Sequence, residues 1–345
     1  MLGASNHGDC SLSALFFMPC FVRRVPLLFA VVGLLSGPTA LAQSESVQQI
    51  EDCDPWFALP LTVHDVGVGI GDTEHTIGGR VNFGDRCLQS VSGVNATLFP
   101  SFSPTGTVNG LALGLPMTGS ARLRGLGVGL GLFFGNAGDV RGAVDGLLVG
   151  GLATVSESPV RGMAIGSVGA GVGAPATGVL LAGGTAVTTD RGRGLILGGA
   201  VAGTGGPSIA LLAGGLVAGT TDRLYGAAVS PGLVGAGGRL VGLGVGGLAA
   251  GSRDAVQGLM VGGAALRAQR LTGLGVTAGY AYVGDGPLQG GSIAAVNHIN
   301  GTQRGLTIGL FNYARELHGV QVGLINVARN NSFWRRILPG LNFSF

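Results

Sequence analysis

Between Gly146 and Gly258 the chain repeats a short apolar phrase every 16 residues. In each copy a small anchor residue is followed by three mostly apolar residues and then by a small pair, as in Gly194-Leu-Ile-Leu-Gly-Gly-Ala200. A fixed period of this kind is typical of repeat architectures, in which every copy forms one structural unit. The anchors are Gly146, Gly162, Gly178, Gly194, Ala210, Gly226, Gly242 and Gly258.

The repeat unit favours strands over helices. Glycine costs about 0.8–1.0 kcal/mol per residue in a helix interior, and each copy holds several glycines. A strand of about ten residues with a turn fills one period, since membrane-spanning strands have this length. The segment Gly125-Leu-Gly-Val-Gly-Leu-Gly-Leu132 alternates strictly, which places Leu126, Val128, Leu130 and Leu132 on one predicted face.

The turns favour an antiparallel arrangement. Polar turns such as Thr188-Thr-Asp-Arg191 and Thr220-Thr-Asp-Arg223 alternate with small ones such as Thr204-Gly-Gly-Pro207. An up-and-down sheet puts odd and even turns at opposite ends, so each end can keep its own chemistry. We therefore predict an all-β fold, an antiparallel up-and-down repeat sheet closed as an outer-membrane β-barrel of about 14–18 strands.

A β-solenoid with 16-residue coils is the alternative. In Gly319-Val-Gln-Val-Gly-Leu-Ile-Asn-Val-Ala328 a corner near Gly323 would turn the four β-branched residues inward and leave Gln321 and Asn326 outside. A bulge at the same place would suit a barrel strand.

Composition supports a membrane setting. Of 345 residues, 46% are hydrophobic and 11% are charged, whereas soluble domains carry roughly 25% charged residues. Because only a closed sheet satisfies its backbone in lipid, the predicted partners are the lipid bilayer and the outer-membrane assembly machinery. The predicted location is the cell outer membrane, with the extracellular surface as the alternative.

The N-terminal region is predicted to direct export. Arg23-Arg24 precedes an apolar run over 25–35 and an Ala-Leu-Ala42 end, the pattern of a secretory signal peptide. Residues 1–42 are assigned to this signal, with Met18 as an alternative start and cleavage after Ala42. Residues 43–120 are predicted to hold a lead-in or plug and the first strands, and residues 121–345 the Gly-rich repeat domain.

Two of the four cysteines, Cys53 and Cys87, remain in the predicted mature chain. An exported protein with two cysteines favours a disulfide between them, and two free thiols are the alternative. A metal site at these cysteines is not expected, because no Cys-x-x-Cys motif or histidine cluster lies near them.

No residue is assigned a catalytic, cofactor-binding or metal-binding role. All 20 basic residues are Arg, which excludes lysine chemistry, and no basic stripe suggests nucleic acid. His64-Asp65 and Asp72-Thr-Glu-His75 form an acidic and histidine cluster, interpreted as a solvated loop with a metal or acid–base role as the alternative. The repeated Asn297, Asn312 and Asn326 are expected to hydrogen-bond near strand ends.

The last copies resemble a known family. Gly305-Leu-Thr-Ile-Gly-Leu-Phe-Asn312 and Gly319-Val-Gln-Val-Gly-Leu-Ile-Asn326, with the ending Leu338-Pro-Gly-Leu-Asn-Phe-Ser-Phe345, resemble bacterial Gly-rich surface-repeat proteins that carry G-h-Q-h-G-h-h-N repeats. Gly290–Asn297 is a weaker copy. The resemblance implies export and surface or outer-membrane residence.

The C-terminal Phe345, with Phe343 in alternation, is similar to the last-strand assembly signal of bacterial outer-membrane proteins. Together these features predict a non-enzymatic outer-membrane or surface-exposed β-repeat protein with a structural, surface or weak transport role and no cofactor. The alternative is a secreted or surface β-solenoid that acts in adhesion or in a matrix. An enzyme would need its chemistry in residues 43–120.

Overall fold

The structure, a computed structural model, describes residues 55, 57–84, 87–99, 106–135 and 143–344. The residues from Cys53 to Phe345 form one compact unit, and residues 1–54 lie outside the described ranges. The described residues are almost entirely β-structure, with one short 3₁₀ turn at Phe333–Arg335. The predicted signal peptide therefore stays a prediction.

Each 16-residue copy forms one coil with a longer and a shorter strand. In a representative coil β9 spans Val160–Gly166 and β10 spans Gly169–Val172. Each strand pairs in parallel with its counterpart one coil later, so that Gly162 pairs with Gly178 and Gly178 with Gly194. The chain therefore winds as a β-solenoid with two stacks of strands.

The longer strands form one continuous stack, named here the long-strand stack. Its members are β1 Ala58–Val63, β2 Val66–Gly71, β3 His75–Gly84, β4 Ser90–Phe99, β5 Thr107–Gly114, β7 Arg122–Phe134, β8 Val144–Ser156, β9, β11 Ala176–Ala182, β13 Gly192–Gly198, β15 Ser208–Gly214, β17 Leu224–Ser230, β19 Leu240–Gly246, β21 Ala255–Gly262, β23 Arg270–Thr277, β25 Leu288–Ile293, β26 Val296–Ile308, β27 Phe311–Ala328 and β28 Ile337–Ser344.

The shorter strands form the second stack, named the short-strand stack. They are β6 Met117–Thr118, β10, β12 Thr185–Thr188, β14 Val201–Thr204, β16 Val217–Thr220, β18 Leu233–Ala236, β20 Ala249–Ser252, β22 Ala265–Ala268 and β24 Tyr280–Val283. Strands β7, β8, β26 and β27 are long enough to contribute to both stacks. The pairing of β7 with β8 shifts register after Gly129, and that of β26 with β27 shifts after Ile299.

The predicted closed barrel is wrong, and the solenoid alternative is correct. Among the described strands only β1–β2 and β27–β28 pair antiparallel, whereas the other pairings are parallel. The barrel prediction assigns one strand and one turn to each 16-residue period. The period instead holds two strands and two corners, and the second corner is the small pair, as at Gly198-Gly199.

The alternating turns, which favoured a hairpin arrangement, lie in one column along one edge. The Gly205 amide donates to the Thr188 carbonyl at 2.8 Å, and the Thr221 amide donates to the Thr204 carbonyl at 3.0 Å. A Cβ on Gly206 would lie 3.1 Å from the Asp190 carboxylate. Small turns therefore accommodate the bulkier turns stacked beside them, and this packing between neighbouring coils produces the alternation of polar and small turns.

Antiparallel strands cover both ends of the solenoid. At one end β1 pairs with β2, and at the other β28 folds back on β27 after the 3₁₀ turn. Each terminal strand contains a proline, Pro60 in β1 and Pro339 in β28. Proline removes a backbone donor and is a known means of keeping edge strands from pairing with further chains.

The anchor glycines set the path of each longer strand. Gly194 has φ of +116°, and a Cβ there would collide with the carbonyl oxygen of Gly178 in the previous coil. Such a backbone conformation is open to glycine and strained for other residues. The anchor therefore bends the strand, and the positions after it alternate between the core and the outside.

The predicted orientation of the last copy is inverted. Gln321 and Asn326 are fully buried, whereas Val322 and Ile325 are 38% and 48% exposed. The reason is that buried amides hydrogen-bond to amides in neighbouring coils, as described below. A related register shift near Gly129 leaves Leu130 exposed and buries Leu132, so the strict alternation there does not keep all four residues on one face.

Candidate interaction face

Two adjacent outward columns of the long-strand stack are apolar along its full described length. Nineteen strands each contribute two outward positions, which lie in register from β1 to β28. Every one of these positions holds an apolar side chain or glycine. We name this surface the outer apolar face.

The outer apolar face consists of two columns of side chains. The first column runs Leu61, Val68, Gly79, Val94, Leu111, Leu126, Leu147, Met163, Val179, Leu195, Leu211, Ala227, Leu243, Leu259, Leu274, Gly291, Leu306, Val320 and Phe343. The second runs Leu59, Ile70, Val81, Ala96, Leu113, Val128, Val149, Ile165, Leu181, Leu197, Ala213, Val229, Val245, Val261, Val276, Ile293, Ile308, Val322 and Leu341.

Solvent reaches this face throughout. Leu211 is 45% exposed near the middle of the stack, Leu306 is 41% exposed, and Leu341 in the terminal strand is 50% exposed. Neighbouring side chains in a column shield one another, which holds the exposed fraction below that of an isolated residue. Monomeric proteins rarely expose apolar patches above roughly 300–600 Å², so a face of this length indicates an interaction surface.

A mixed column borders one edge of the outer apolar face. It includes Arg124, Asp145, Arg161 and Arg193 in successive or near-successive coils, and Arg304 further along. Arg161 and Asp145 face each other at 4.0 Å with both side chains exposed. This edge supplies a polar boundary to an otherwise apolar strip.

The core behind this face changes character along the chain. In the middle coils one inward column holds alanines, including Ala186, Ala202 and Ala218, all almost fully buried. In the last coils asparagines occupy the same column. The Asn297 amide donates to the Asn312 side-chain oxygen at 2.8 Å, and Asn312 donates to Asn326 at 2.8 Å.

Glutamines form a second buried ladder in the last coils. The Gln321 amide donates to the Gln303 side-chain oxygen at 3.1 Å, and Gln303 donates to the Val320 carbonyl at 3.0 Å. The Asn and Gln side chains of the repeats are therefore structural groups of the core. The expectation that the asparagines hydrogen-bond is met, but within a ladder rather than only near strand ends.

An aromatic column lies on the outside of the short-strand stack. Arg267, Tyr282, His298 and Tyr313 stand in register in four successive coils. The His298 ring is 5.4 Å from Tyr282 and 4.9 Å from Tyr313, centroid to centroid, and the guanidinium of Arg267 lies 5.4 Å from the Tyr282 ring. This column was not predicted from the sequence, although the register of the repeat brings its members together.

A hydrogen bond and partial burial affect the titratable groups in and beside this column. The Tyr280 hydroxyl and the Nδ1 atom of His298 are 2.8 Å apart. Burial lowers the pKa of the His298 imidazole, because the charged form loses hydration. Burial, together with Tyr282, raises the pKa of Tyr280. The rings pack against one another across strands, which is a stabilising arrangement for exposed sheet faces.

The acidic and histidine cluster predicted near the N-terminal end is divided among different roles. His64 and Asp65 form the β1–β2 turn with positive φ. Glu74 accepts a hydrogen bond from Gln89 at 2.6 Å, and the Nδ1 atom of His75 is 3.1 Å from the Ser90 hydroxyl. These contacts join neighbouring coils.

Asp72 instead points into the core and pairs with Arg80. The Arg80 guanidinium, which is fully buried, donates to the Asp72 carboxylate at 2.9 Å and to the Asn95 side-chain oxygen at 3.1 Å. The Cys87 amide also donates to Asp72, at 3.1 Å. This pair was not anticipated from the sequence. The one sequence feature that indicates this pair is an arginine at a position of the repeat that faces the core.

Two predicted residues have partners at the edge of the described region. Cys87 is disulfide-bonded, while Cys53 lies outside the described residues, so the predicted pairing with Cys53 stays a prediction. Phe343 pairs with Val320 across β27–β28, and the Arg335 guanidinium lies 5.1 Å from its ring. Phe345 lies outside the described residues, and the assembly role of both phenylalanines stays a prediction.

Within the described ranges, no group of three or more His, Cys, Asp or Glu side chains is placed to hold a metal ion. Nor does any helix of the described residues have the length and apolar character needed to cross a membrane. The chain matches no protein-family model, no characterised protein and no solved structure. The resemblance over 290–345 to surface-repeat proteins therefore stays a prediction.

Proposed function

We propose that this protein is an exported, non-enzymatic β-solenoid that serves as an adhesion or matrix module at the cell surface or in the extracellular space. The observation that carries the proposal is the outer apolar face, which presents two unbroken apolar columns over nineteen strands. A surface of that form suits contact along an extended partner. Its open, flat shape is unsuited to enclosing a small substrate.

The stiffness of the fold supports a structural role. Nineteen stacked strands at about 4.8 Å per strand make a rod roughly 85 Å long. Each coil contacts its neighbours through continuous backbone pairing and shared core columns, so the rod holds its outward columns at fixed spacing.

Export is supported by two features at the N-terminal side. The basic start at Arg23-Arg24 and the apolar run over 25–35 have the form of a cleavable signal. The disulfide at Cys87 suits an oxidising compartment, where such bonds persist.

Fractionation of cells that express the full chain tests this proposal. We expect the mature protein, beginning at Gln43, in the surface-associated or extracellular fraction, identified by N-terminal sequencing and by removal with external protease. The variant Val31→Arg interrupts the apolar run and should retain the protein inside. A wild-type chain that stays in the cytoplasm with its N-terminus intact would contradict the proposal.

A further inference from the structure

We propose that the outer apolar face is the interface of a homodimer, in which a second copy of this chain packs face to face on the long-strand stack. The inference identifies the partner of the proposed surface module. It rests on the proposed function only for the location of the protein outside the cell. Three features support it: the area of the face, its spacing and the covered ends of the solenoid.

The area is sufficient for a stable pair. A strip roughly 85 Å long and about 12 Å wide, from strand spacings and two side-chain columns, presents on the order of 1,000 Å² per copy. Standard protein–protein interfaces bury about 800 Å² per partner. The face contains no charged or polar side chain in the described strands, so its burial carries no desolvation penalty from unpaired polar groups.

The spacing of the face is complementary to itself. Every coil contributes one residue to each column at the same interval, because the pairing stays in register from Leu126 to Val320. Ridges of one copy can therefore enter the grooves of the other at each coil. Two such sheets pack about 10 Å apart with interdigitated side chains. A bilayer has no periodic order that would match this strip.

The ends of the rod direct association to its side. Strands β1 and β28 run antiparallel to their neighbours and carry Pro60 and Pro339, features that oppose end-to-end strand pairing. A face-to-face pair with two-fold symmetry also closes on itself. It therefore limits assembly to a dimer at this face.

The substitution Leu195→Glu tests the interface. Leu195 lies at the tenth of the nineteen strands, so antiparallel rods bring it against its own counterpart and parallel rods bring it against the same strand of the partner. We expect the wild-type mature chain to sediment as a dimer at micromolar concentration without detergent. Burying a carboxylate beside its counterpart should weaken association by roughly a hundredfold or more.

The matched control is Val217→Glu. Val217 lies in a neighbouring coil and faces outward from the short-strand stack, so the same change in charge falls on the other side of the rod. This variant should remain dimeric, and circular dichroism should show that both variants keep the wild-type fold. Loss of the dimer in both variants, or in neither, would overturn the proposal.

Cross-linking gives a second measurement that does not depend on destabilising the pair. A thiol-reactive bismaleimide about 10 Å long should link Leu195→Cys into a dimer, whereas Val217→Cys should stay monomeric on a denaturing gel. The linker is needed because sheets packed about 10 Å apart are too far apart for a direct disulfide. Vesicles of phosphatidylcholine with phosphatidylglycerol provide the lipid comparison. A wild-type monomer that binds these vesicles in a manner abolished by Leu195→Glu would assign the face to lipid and overturn the homodimer. A monomer found at the cell surface would refute this inference and leave the proposed function standing.

Discussion

The coils from Val160 to Thr277 and the coils from Leu288 to Ala328 follow the same backbone path, but different side chains fill their cores. In the middle coils the inward column beneath the short strands is mostly alanine, as at Ala186, Ala202 and Ala218, and close packing alone fills the space. In the last coils the same column holds asparagines that hydrogen-bond along the stack. The path is therefore set by glycine corners and strand pairing, and two core chemistries are compatible with it.

The N-terminal coils add a third kind of core. Arg80 and Asn95 occupy an inward column in which the middle coils place Ala164, Leu180 and Ile196. Polar groups thus enter the core near both ends, where each has partners in an adjacent coil. In both end regions the large polar side chains of the core therefore have polar partners in the adjacent coil.

The largest expected effect comes from removing the buried cation. Arg80→Met removes the buried guanidinium that donates to the Asp72 carboxylate, and breaking a buried pair costs about 3–5 kcal/mol. Urea denaturation of the purified mature chain should show this loss. Arg161→Met is the control, since its partner Asp145 is exposed, and a change of about 0.5 kcal/mol or less is expected. Equal effects would contradict the buried pair.

Placing an asparagine in the alanine column, or an alanine in the asparagine column, should lower the free energy of unfolding. Ala202→Asn adds an amide between Ala186 and Ala218, and overpacking with an unpaired polar group should cost about 2–5 kcal/mol. Asn312→Ala interrupts the ladder between Asn297 and Asn326 and should cost about 2–3 kcal/mol.

The triple replacement of Asn297, Asn312 and Asn326 by Ala sharpens this comparison. Removing all partners together leaves fewer groups unpaired, so its cost in thermal or urea unfolding should fall below the sum of three single changes. A strictly additive result would mean that the ladder acts as separate side chains.

Glycine substitutions separate the anchor positions, which bend the longer strands, from glycines in ordinary extended backbone. Gly194→Ala forces a Cβ against the Gly178 carbonyl at a positive φ, and a cost of about 1–3 kcal/mol is expected. Gly235→Ala is the matched change, because a Cβ at Gly235 would have no atom within 4 Å and the φ of this residue is not positive. That variant should be neutral or more stable by up to about 1 kcal/mol. The melting temperature should fall in Gly194→Ala and stay the same or rise in Gly235→Ala.

The smallest expected effect is a dependence on pH in the aromatic column. The folded-state pKa of His298 lies below its ordinary value because of burial, so the unfolded chain binds the proton more readily. Stability is therefore expected to fall as pH drops below about 6.5, the unperturbed value for histidine. In His298→Phe this component should vanish from thermal unfolding between about pH 5 and 7. An unchanged profile would show that other groups cause the dependence.

The repeat and its β-structure were predictable from the sequence, but the number of strands in each unit and the direction of strand pairing were not. The Gly-anchored phrase predicts β-structure with a 16-residue unit, and this is confirmed. The alternation between Thr188–Arg191 and Thr204–Pro207 favoured two separate ends of a barrel. In the structure it reflects side-by-side packing of turns. The phrase carries no information on strand direction, since each strand keeps its alternation whichever way its neighbour runs.

The Arg80–Asp72 pair and the column from Arg267 to Tyr313 could not be predicted from the sequence for a related reason. Their members lie 8 to 16 residues apart along the chain, and only a known coil register brings them together. The same register shows that apolar residues such as Val322 face outward while Gln321 faces inward. An alternating pattern defines two faces but does not say which is covered.

The sequence by itself determined the 16-residue unit, its anchor glycines and the two alternating faces of its β-structure. These follow from local backbone sterics and side-chain alternation, which act within a few residues. The tertiary structure alone decided that neighbouring copies run parallel, that amides lie inside and that two apolar columns remain outside. Those choices depend on hydrogen bonds and packing between coils, whose energies exist only once the coils are stacked.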